Sequence, residues 1–292
     1  MTSLLAPSQV IQAIVETYGN ARYAFEPNGG NLGDILISAG CICALDQSGV
    51  QWSMLNGRPL DSPSFDVLIY GGGGNLVPNY DGAAQFLKKA AASGKPVVIL
   101  PHTIRSHPDL LGAMTSGIIF CRDQASCDFA SSHTGIPVHF AADMATAVDM
   151  TQFGLNSIAP LRAAARSACP PGAYVLKALR MDSESQHQAG SLPPDNVDLS
   201  VVVGAVGSVK SSILTQASLF LSTLSLFDSV VSDRLHVVIG RLLTKGPVHA
   251  IENNYGKLNA VLRPILDRGL LPPDLVTFHS DYASYLTANQ PA

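Results

Sequence analysis

Charge is scarce in this chain. Lys, Arg, Asp and Glu make up only 14% of the residues, 18 basic against 22 acidic, for a formal net charge of −4. The basic stripe of a nucleic-acid binder is missing, which excludes that class of partner. An anionic small substrate is not excluded, because two or three local arginines can override a weak global charge. Cysteine is sparse too. Cys41, Cys43, Cys121, Cys127 and Cys169 are odd in number and irregular in spacing. Cys41 and Cys43 form C-x-C rather than the C-x-x-C of zinc and redox sites, so the cysteines read as small buried hydrophobes in a reducing compartment. The histidines lack the H-x-x-x-H type of ligand spacing, and no metal is expected.

Long apolar runs are also missing. Met1 to Ser8 has neither the basic nor the apolar region of a secretory signal. The uncharged stretch Ser211 to Phe227 is studded with Ser, Thr and Gln, and places Ile213, Ala217, Phe220, Leu224 and Phe227 on one helical face. It reads as a core-facing helix, since a membrane span needs about 20 mainly apolar residues. A soluble, cytoplasmic protein is expected.

What is present is core material. Hydrophobic residues are 47% of 292, enough for two domains of about 100–150 residues each and contrary to bulk disorder. Short apolar runs alternate with helical stretches, the pattern of α/β folds with parallel sheets. In the first half the expected strands are Arg22 to Phe25, Asp66 to Tyr70, Pro96 to Leu100, Gly117 to Cys121 and Pro137 to Phe140. Helices fill Ser8 to Tyr18, Asp34 to Gln47, Gly82 to Ser93 and Gln124 to Ser132. In the second half, strands are expected at Ala173 to Leu179, Leu199 to Val203, Ser229 to Val231 and Val248 to Ile251, with helices at Ser211 to Phe227 and Leu235 to Leu243. The proline-bearing segment Asn156 to Gly172 suits a linker. The boundaries that follow are 1–168, 169–274 and a tail, 275–292, read as a helix packing back on the first domain.

One stretch carries most of the chemistry. Ser232-Asp233-Arg234-Leu235-His236 falls where a strand ends and a helix starts, the place where backbone N–H groups and the helix dipole face ligands in open α/β sheets. Asp233, Arg234 and His236 there combine an anion clamp with a proton donor. Gly71 to Gly74 follow a strand and precede Asn75, but neither the dinucleotide fingerprint nor a P-loop is formed. Such glycines let backbone N–H groups approach a ligand, or simply make a tight turn. Asn31 and Asp34 open a helix, where Asp34 either caps it or touches a ligand.

Taken in order, Gly30-Asn31-Leu32-Gly33-Asp34, Ile69 to Asn75, Arg122-Asp123-Gln124-Ala125-Ser126, Ser232 to His236 and Asn253-Asn254-Tyr255-Gly256-Lys257 resemble the signature of the polysaccharide pyruvyl transferases. The resemblance implies two Rossmann-like domains facing a cleft, similar to the GT-B glycosyltransferase fold. It also implies transfer of a pyruvyl group from phosphoenolpyruvate to sugar hydroxyls, without a cofactor. That donor needs guanidinium groups for its oxyanions and a general acid for its C3 methylene. Carried over, Arg180, Arg234, Leu235, His236 and Asn254 hold the donor, with His236 as acid. Arg180 belongs to the L-R-x-D element ending at Asp182. Asn31, Gly73, Gly74, Asn75 and His102 face the acceptor, Asp34 acts as contact or base, and Asn253 and Tyr255 close the site. The acceptor is a saccharide, free or lipid-linked, and any membrane contact is peripheral and made through it. Where the family continues with Gly-Asp after the asparagine, this chain has Leu76 to Asp81, so no acceptor role passes to Asp81. Two other readings stay open: a GT-B glycosyltransferase that uses a nucleotide sugar, and a non-catalytic sugar-binding module.

Overall fold

The computed structural model describes residues 3–78, 80–153, 160, 163–164, 174–182, 185, 192–202, 209–252 and 256–289. The chain divides into two compact units. The first takes in residues 1–29, 37–148 and 206–213; the second takes in 30–36, 149–205 and 214–292. Both are mixed α/β with parallel sheets, consistent with a Rossmann-like fold.

In the first unit the strands are β1 (Tyr23–Glu26), β2 (Trp52–Met54), β3 (Val67–Tyr70), β4 (Gly73–Leu76), β5 (Val97–Ile104), β6 (Gly117–Cys121) and β7 (Val138–Phe140). They lie in the order β2-β1-β3-β5-β6-β7, with β4 paired on β5. Every pairing is parallel. The strands β3, β5 and β6 are buried along their whole length, which is why they read as unbroken apolar runs rather than alternating ones. Among the described residues, helices α1 (Pro7–Tyr18), α2 (Leu32–Ser48, of which the residues up to Leu36 count with the second unit), α3 (Gly82–Ala92), α4 (Pro108–Ala113) and α5 (Gln124–His133) join them. One core cluster runs through Leu68, Leu87, Ile99, Leu110 and Ile119.

The second unit has β8 (Val175–Lys177), β9 (Ser229–Ser232), β10 (Val248–Ile251) and β11 (Val276–His279), parallel and ordered β11-β10-β9-β8. Its helices are α6 (Lys210–Ser225), α7 (Leu235–Leu243), α8 (Lys257–Asp267) and α9 (Tyr282–Ala288). On α6, Ile213, Ala217, Phe220 and Leu224 of the face read from the sequence are buried, together with Leu221; Phe227 lies beyond the end of the helix and is half-buried. Among the described residues no helix is long and apolar enough to cross a membrane. Among the described residues, Cys41, Cys43, Cys121 and Cys127 are buried thiols outside any disulfide.

Three expectations need correction. The strand expected at Leu199 to Val203 is not found over its described residues, where Leu199–Val201 is a 3-10 turn; Val203 lies outside them. Asp198 accepts from Met181 N and is gripped by Arg234, which pins the segment at the end of the sheet, while Val201 and Val202 point to solvent. The tail is not one helix. It opens with β11, which extends the second sheet beside β10, and α9 packs with Tyr282 and Tyr285 against that sheet. Gly73–Leu76, read as part of an open loop, is a short strand on β5. Cys169, the linker boundary placed there, and residues 253–255 lie outside the described residues.

Candidate functional site

Two polar constellations stand at carboxyl ends of strands, one in each unit. In the second unit, Ser232 ends β9 and shapes the turn: its hydroxyl donates to Ala178 O at 2.6 Å and accepts from Arg234 N at 3.0 Å. Asp233 accepts from Arg180 N at 2.8 Å, so the ends of β8 and β9 are stitched together by side chains. This is a local consequence of Ser and Asp in a turn, where both residue types capture nearby backbone N–H groups.

The stitched ends aim two guanidinium groups at the same place. Arg180 donates through Nε and Nη2 to Asp182 at 2.9 and 3.0 Å. Arg234 donates through Nη2 to Asp182 at 2.9 Å and through Nε to Asp198 at 2.6 Å. The Asp198 side chain is 3% exposed and the Arg234 side chain 7%, whereas Asp182 is 40% exposed. Asp198 is therefore the buried counter-charge that makes a buried arginine tolerable. Asp182 is the solvent-facing carboxylate between the two arginines.

Arg234 caps α7 without a side-chain cap bond. Leu235 is buried, which leaves only its backbone amide for a ligand, and His236 is half-buried one residue on. The imidazole lies against α2: a Cβ placed on Gly33 would sit 2.7 Å from His236 Nδ1 and 3.0 Å from His236 Cβ. Gly33 and His236 are about 200 residues apart in sequence and belong to the same unit. The second glycine of the Gly30–Asp34 motif is thus what lets the histidine reach the start of α2.

That start is capped in full. Asn31 Oδ1 accepts from Gly33 N at 2.7 Å, and the Asp34 carboxylate accepts from Asn31 N at 2.9 Å, a reciprocal capping box. Of the two readings left open for Asp34, the capping one is observed. The contact reading is untouched, since Asn31 and Asp34 both stay half-buried.

In the first unit, Asn75 lies on β4 and donates to Asn28 Oδ1 at 2.7 Å, while its own Oδ1 meets His102 Nε2 at 2.9 Å. Tyr70, at the end of β3, donates to the same Asn28 oxygen at 2.9 Å. His102 is fully buried and stacks near Tyr70. Gly73 is buried and Gly74 half-buried. A side chain on Gly73 would collide with Asn28 Nδ2, so this glycine permits the close approach of an asparagine.

Arg122 and Asp123 serve the fold, not an open face. The Arg122 side chain is 1% exposed and pairs with buried Asp143 at 2.7 Å. Asp123 caps α5 by accepting from Ser126 N. Burial alone raises the Asp123 carboxyl, but Arg105 and Ser126 outweigh it and hold it below the ordinary range.

The structure thus brings Arg180 and Arg234 onto one carboxylate, sets His236 at the next turn against Gly33, and joins Asn75 to His102. Asn254 lies outside the described residues. Sequence reasoning missed Asp182 and Asp198 as partners, and Asn28 and Tyr70. Only Asn28 had a local signal, as an asparagine two residues past the end of a strand.

Parallel α/β units with polar side chains at their strand ends define a class of Rossmann-like proteins that bind ligands there. The family model for polysaccharide pyruvyl transferases matches residues 31–255, and the chain belongs to that family. The family's activity is pyruvyl transfer to polysaccharide. No curated protein matches the chain. Among solved structures, a protein of Klebsiella pneumoniae subsp. pneumoniae NTUH-K2044, described as a functional uncharacterized protein, is similar at 24% identity. The match covers 92% of this chain and 97% of the other with a TM-score of 0.73. A likeness at that identity carries the fold alone.

Proposed function

We propose that the chain transfers the pyruvyl group of phosphoenolpyruvate to two hydroxyls of a sugar, forming a cyclic ketal and releasing phosphate. The observation that carries this reading is the convergence of Arg180 and Arg234 on one carboxylate, Asp182. A carboxylate is what phosphoenolpyruvate itself presents, beside its phosphate, and two guanidinium groups suit both.

In this reading the donor displaces Asp182 from the arginines, with the Leu235 backbone amide and Asn254 completing its cradle. His236 gives a proton to C3, turning the methylene into a methyl group and leaving C2 electron-poor. The first sugar hydroxyl bonds to C2 and loses its proton. The C2–O bond to phosphate then breaks, the second hydroxyl bonds to C2 and loses its proton, and the ketal closes. The arginines stabilise charge on the departing phosphate. Asp34, on the turn that meets His236, is assigned the base role. Asn31, Gly73, Gly74, Asn75 and His102 are assigned to the acceptor, a saccharide either free or lipid-linked. The reading needs no cofactor, and carries with it the GT-B-like arrangement implied by the family resemblance.

The test is mass spectrometry of galactosides, glucosides and mannosides after incubation with the protein and phosphoenolpyruvate. The expected product gains one pyruvyl ketal while one phosphate appears. Sugar transfer from a nucleoside-diphosphate sugar, with phosphoenolpyruvate left intact, would establish the glycosyltransferase reading instead.

A further inference from the structure

The first sheet has a topological switch point, and Asn28, beside it, lies outside every family motif. From β1 the chain crosses to β2 on one side, and from β3 onward it moves to the other side through β5, β6 and β7. Open parallel sheets bind ligands outside the carboxyl ends of the two strands where this reversal occurs. Here those strands are β1 and β3, paired from Tyr23–Val67 to Glu26–Tyr70. Two residues after β1 comes Asn28, and β3 ends on Tyr70.

Asn28 is 3% exposed. Its amide orientation is set by its neighbours, because Tyr70 Oη and Asn75 Nδ2 both donate to Oδ1. Asn75 Oδ1 in turn meets His102 Nε2, which gives a row of amides polarised in one direction, and such rows strengthen the donor at their end. That end is Asn28 Nδ2. Among the described residues it has no hydrogen-bond partner. A buried amide nitrogen left without an acceptor is costly, by more than an ordinary hydrogen bond is worth. It lies across Gly73, whose neighbours Gly74 and Asn75 are half-exposed.

We infer that Asn28 is a specificity-determining residue, whose Nδ2 donates to one hydroxyl oxygen of a hexopyranoside acceptor at the β1–β3 switch point. Tyr70 and Asn75 are positioning residues that hold the amide in that orientation. The inference rests on the reading of this chain as an enzyme that modifies sugars. It adds the residue that selects among them. A neutral hydroxyl oxygen matches a neutral amide donor held in place by Tyr70 and Asn75.

The test is an NMR titration of the full chain with methyl galactosides, glucosides and mannosides and their monodeoxy analogues. The unaltered protein should bind at least one hexoside and disfavour one of its deoxy analogues by about tenfold, the worth of one buried hydrogen bond. Asn28→Asp keeps the shape and both accepted hydrogen bonds while removing the donor. It should bind the parent and that deoxy analogue about equally. Asn28→Ala should do the same, and heat unfolding shows which of the two is folded well enough to titrate. Preserved discrimination in a folded Asn28 variant overturns the inference, as does a wild-type chain that binds none of the hexosides. Failure of the pyruvyl-transfer reading looks different: hexoside binding that depends on Asn28, with no phosphate released from phosphoenolpyruvate.

Discussion

Arg180 and Arg234 meet on a single oxygen atom, since Asp182 Oδ2 accepts from Arg180 Nη2 at 3.0 Å and from Arg234 Nη2 at 2.9 Å. A substrate oxyanion that uses both arginines has to take the place of that carboxylate. Asp182 is half-exposed, so each pair is screened and worth roughly 0.2–1 kcal/mol. Asp182→Asn should therefore tighten phosphoenolpyruvate binding by about fivefold, or roughly 1 kcal/mol in calorimetry. Binding that is weaker in the variant would mean that Asp182 orients the arginines for the ligand rather than competing with it.

Asp198 plays the opposite part. It is the buried partner of Arg234 and also accepts from Met181 N at 3.0 Å. Asp198→Ala strands a buried guanidinium and should cost about 3–5 kcal/mol of stability. Denaturant unfolding checks this; a loss below about 1 kcal/mol would show that Asp182 alone can neutralise the site.

His236→Gln should lower the rate of phosphate release by roughly 10²–10⁴ if the imidazole is the proton donor, while phosphoenolpyruvate still binds through Arg180 and Arg234. Single-turnover kinetics with a donor titration separates these. A variant that turns over at the wild-type rate removes the histidine from the chemistry.

Gly33→Ala probes the contact between the two distant motifs. The added methyl group would lie 2.7 Å from His236 Nδ1, so the imidazole has to move. Misplacing a reacting group by about 1 Å costs on the order of 10²-fold, and the loss should fall on kcat. The same methyl group would lie 2.9 Å from the capping Asn31 Oδ1, which opposes the roughly 1 kcal/mol that alanine adds as the better helix former, so thermal unfolding is run beside the kinetics to separate a loss of fold from a loss on kcat. An unchanged kcat would show that the position of His236 in this contact is immaterial to the reaction.

A pH effect comes from elsewhere in the second unit. His249 Nδ1 and His279 Nε2 lie 3.0 Å apart beside Tyr285. Burial is the main reason both imidazoles are held below the ordinary 6.5; His279 adds to the effect on His249, while Asp281 opposes it on His279. The unfolded chain therefore takes up protons first as pH falls. Stability is present above about 6.5 and is lost below it, toward the lowered folded values. The denaturant midpoint should fall between about pH 7.5 and 5.5, and replacing both histidines by glutamine should flatten that slope. A midpoint equally pH-dependent in the double variant would place the titrating group elsewhere.

Much of this architecture was legible before any coordinates. Runs such as Gly117 to Cys121 and Val248 to Ile251 are strands because buried parallel strands are apolar on both faces, a property local to the segment. The helix start at Gln124 could be read because capping is local as well, and the start at Leu32 was read two residues late, at Asp34. The short strands Trp52–Met54 and Gly73–Leu76 could not be read. Their pairing depends on where β1 and β5 lie, and glycine has no side chain to announce a strand.

By itself the sequence determined the periodicities that make two parallel α/β units and the order of motifs that places the chain among the polysaccharide pyruvyl transferases. Only the tertiary structure decided which side chains share a partner. Asp182 between two arginines, Asp198 beneath one of them, Gly33 against His236 and Asn28 beside Tyr70 join residues 2 to 203 positions apart. The physical reason is range. Hydrophobic period and capping act over a few residues, whereas hydrogen bonds and ion pairs form wherever folding brings a donor within about 3 Å of an acceptor.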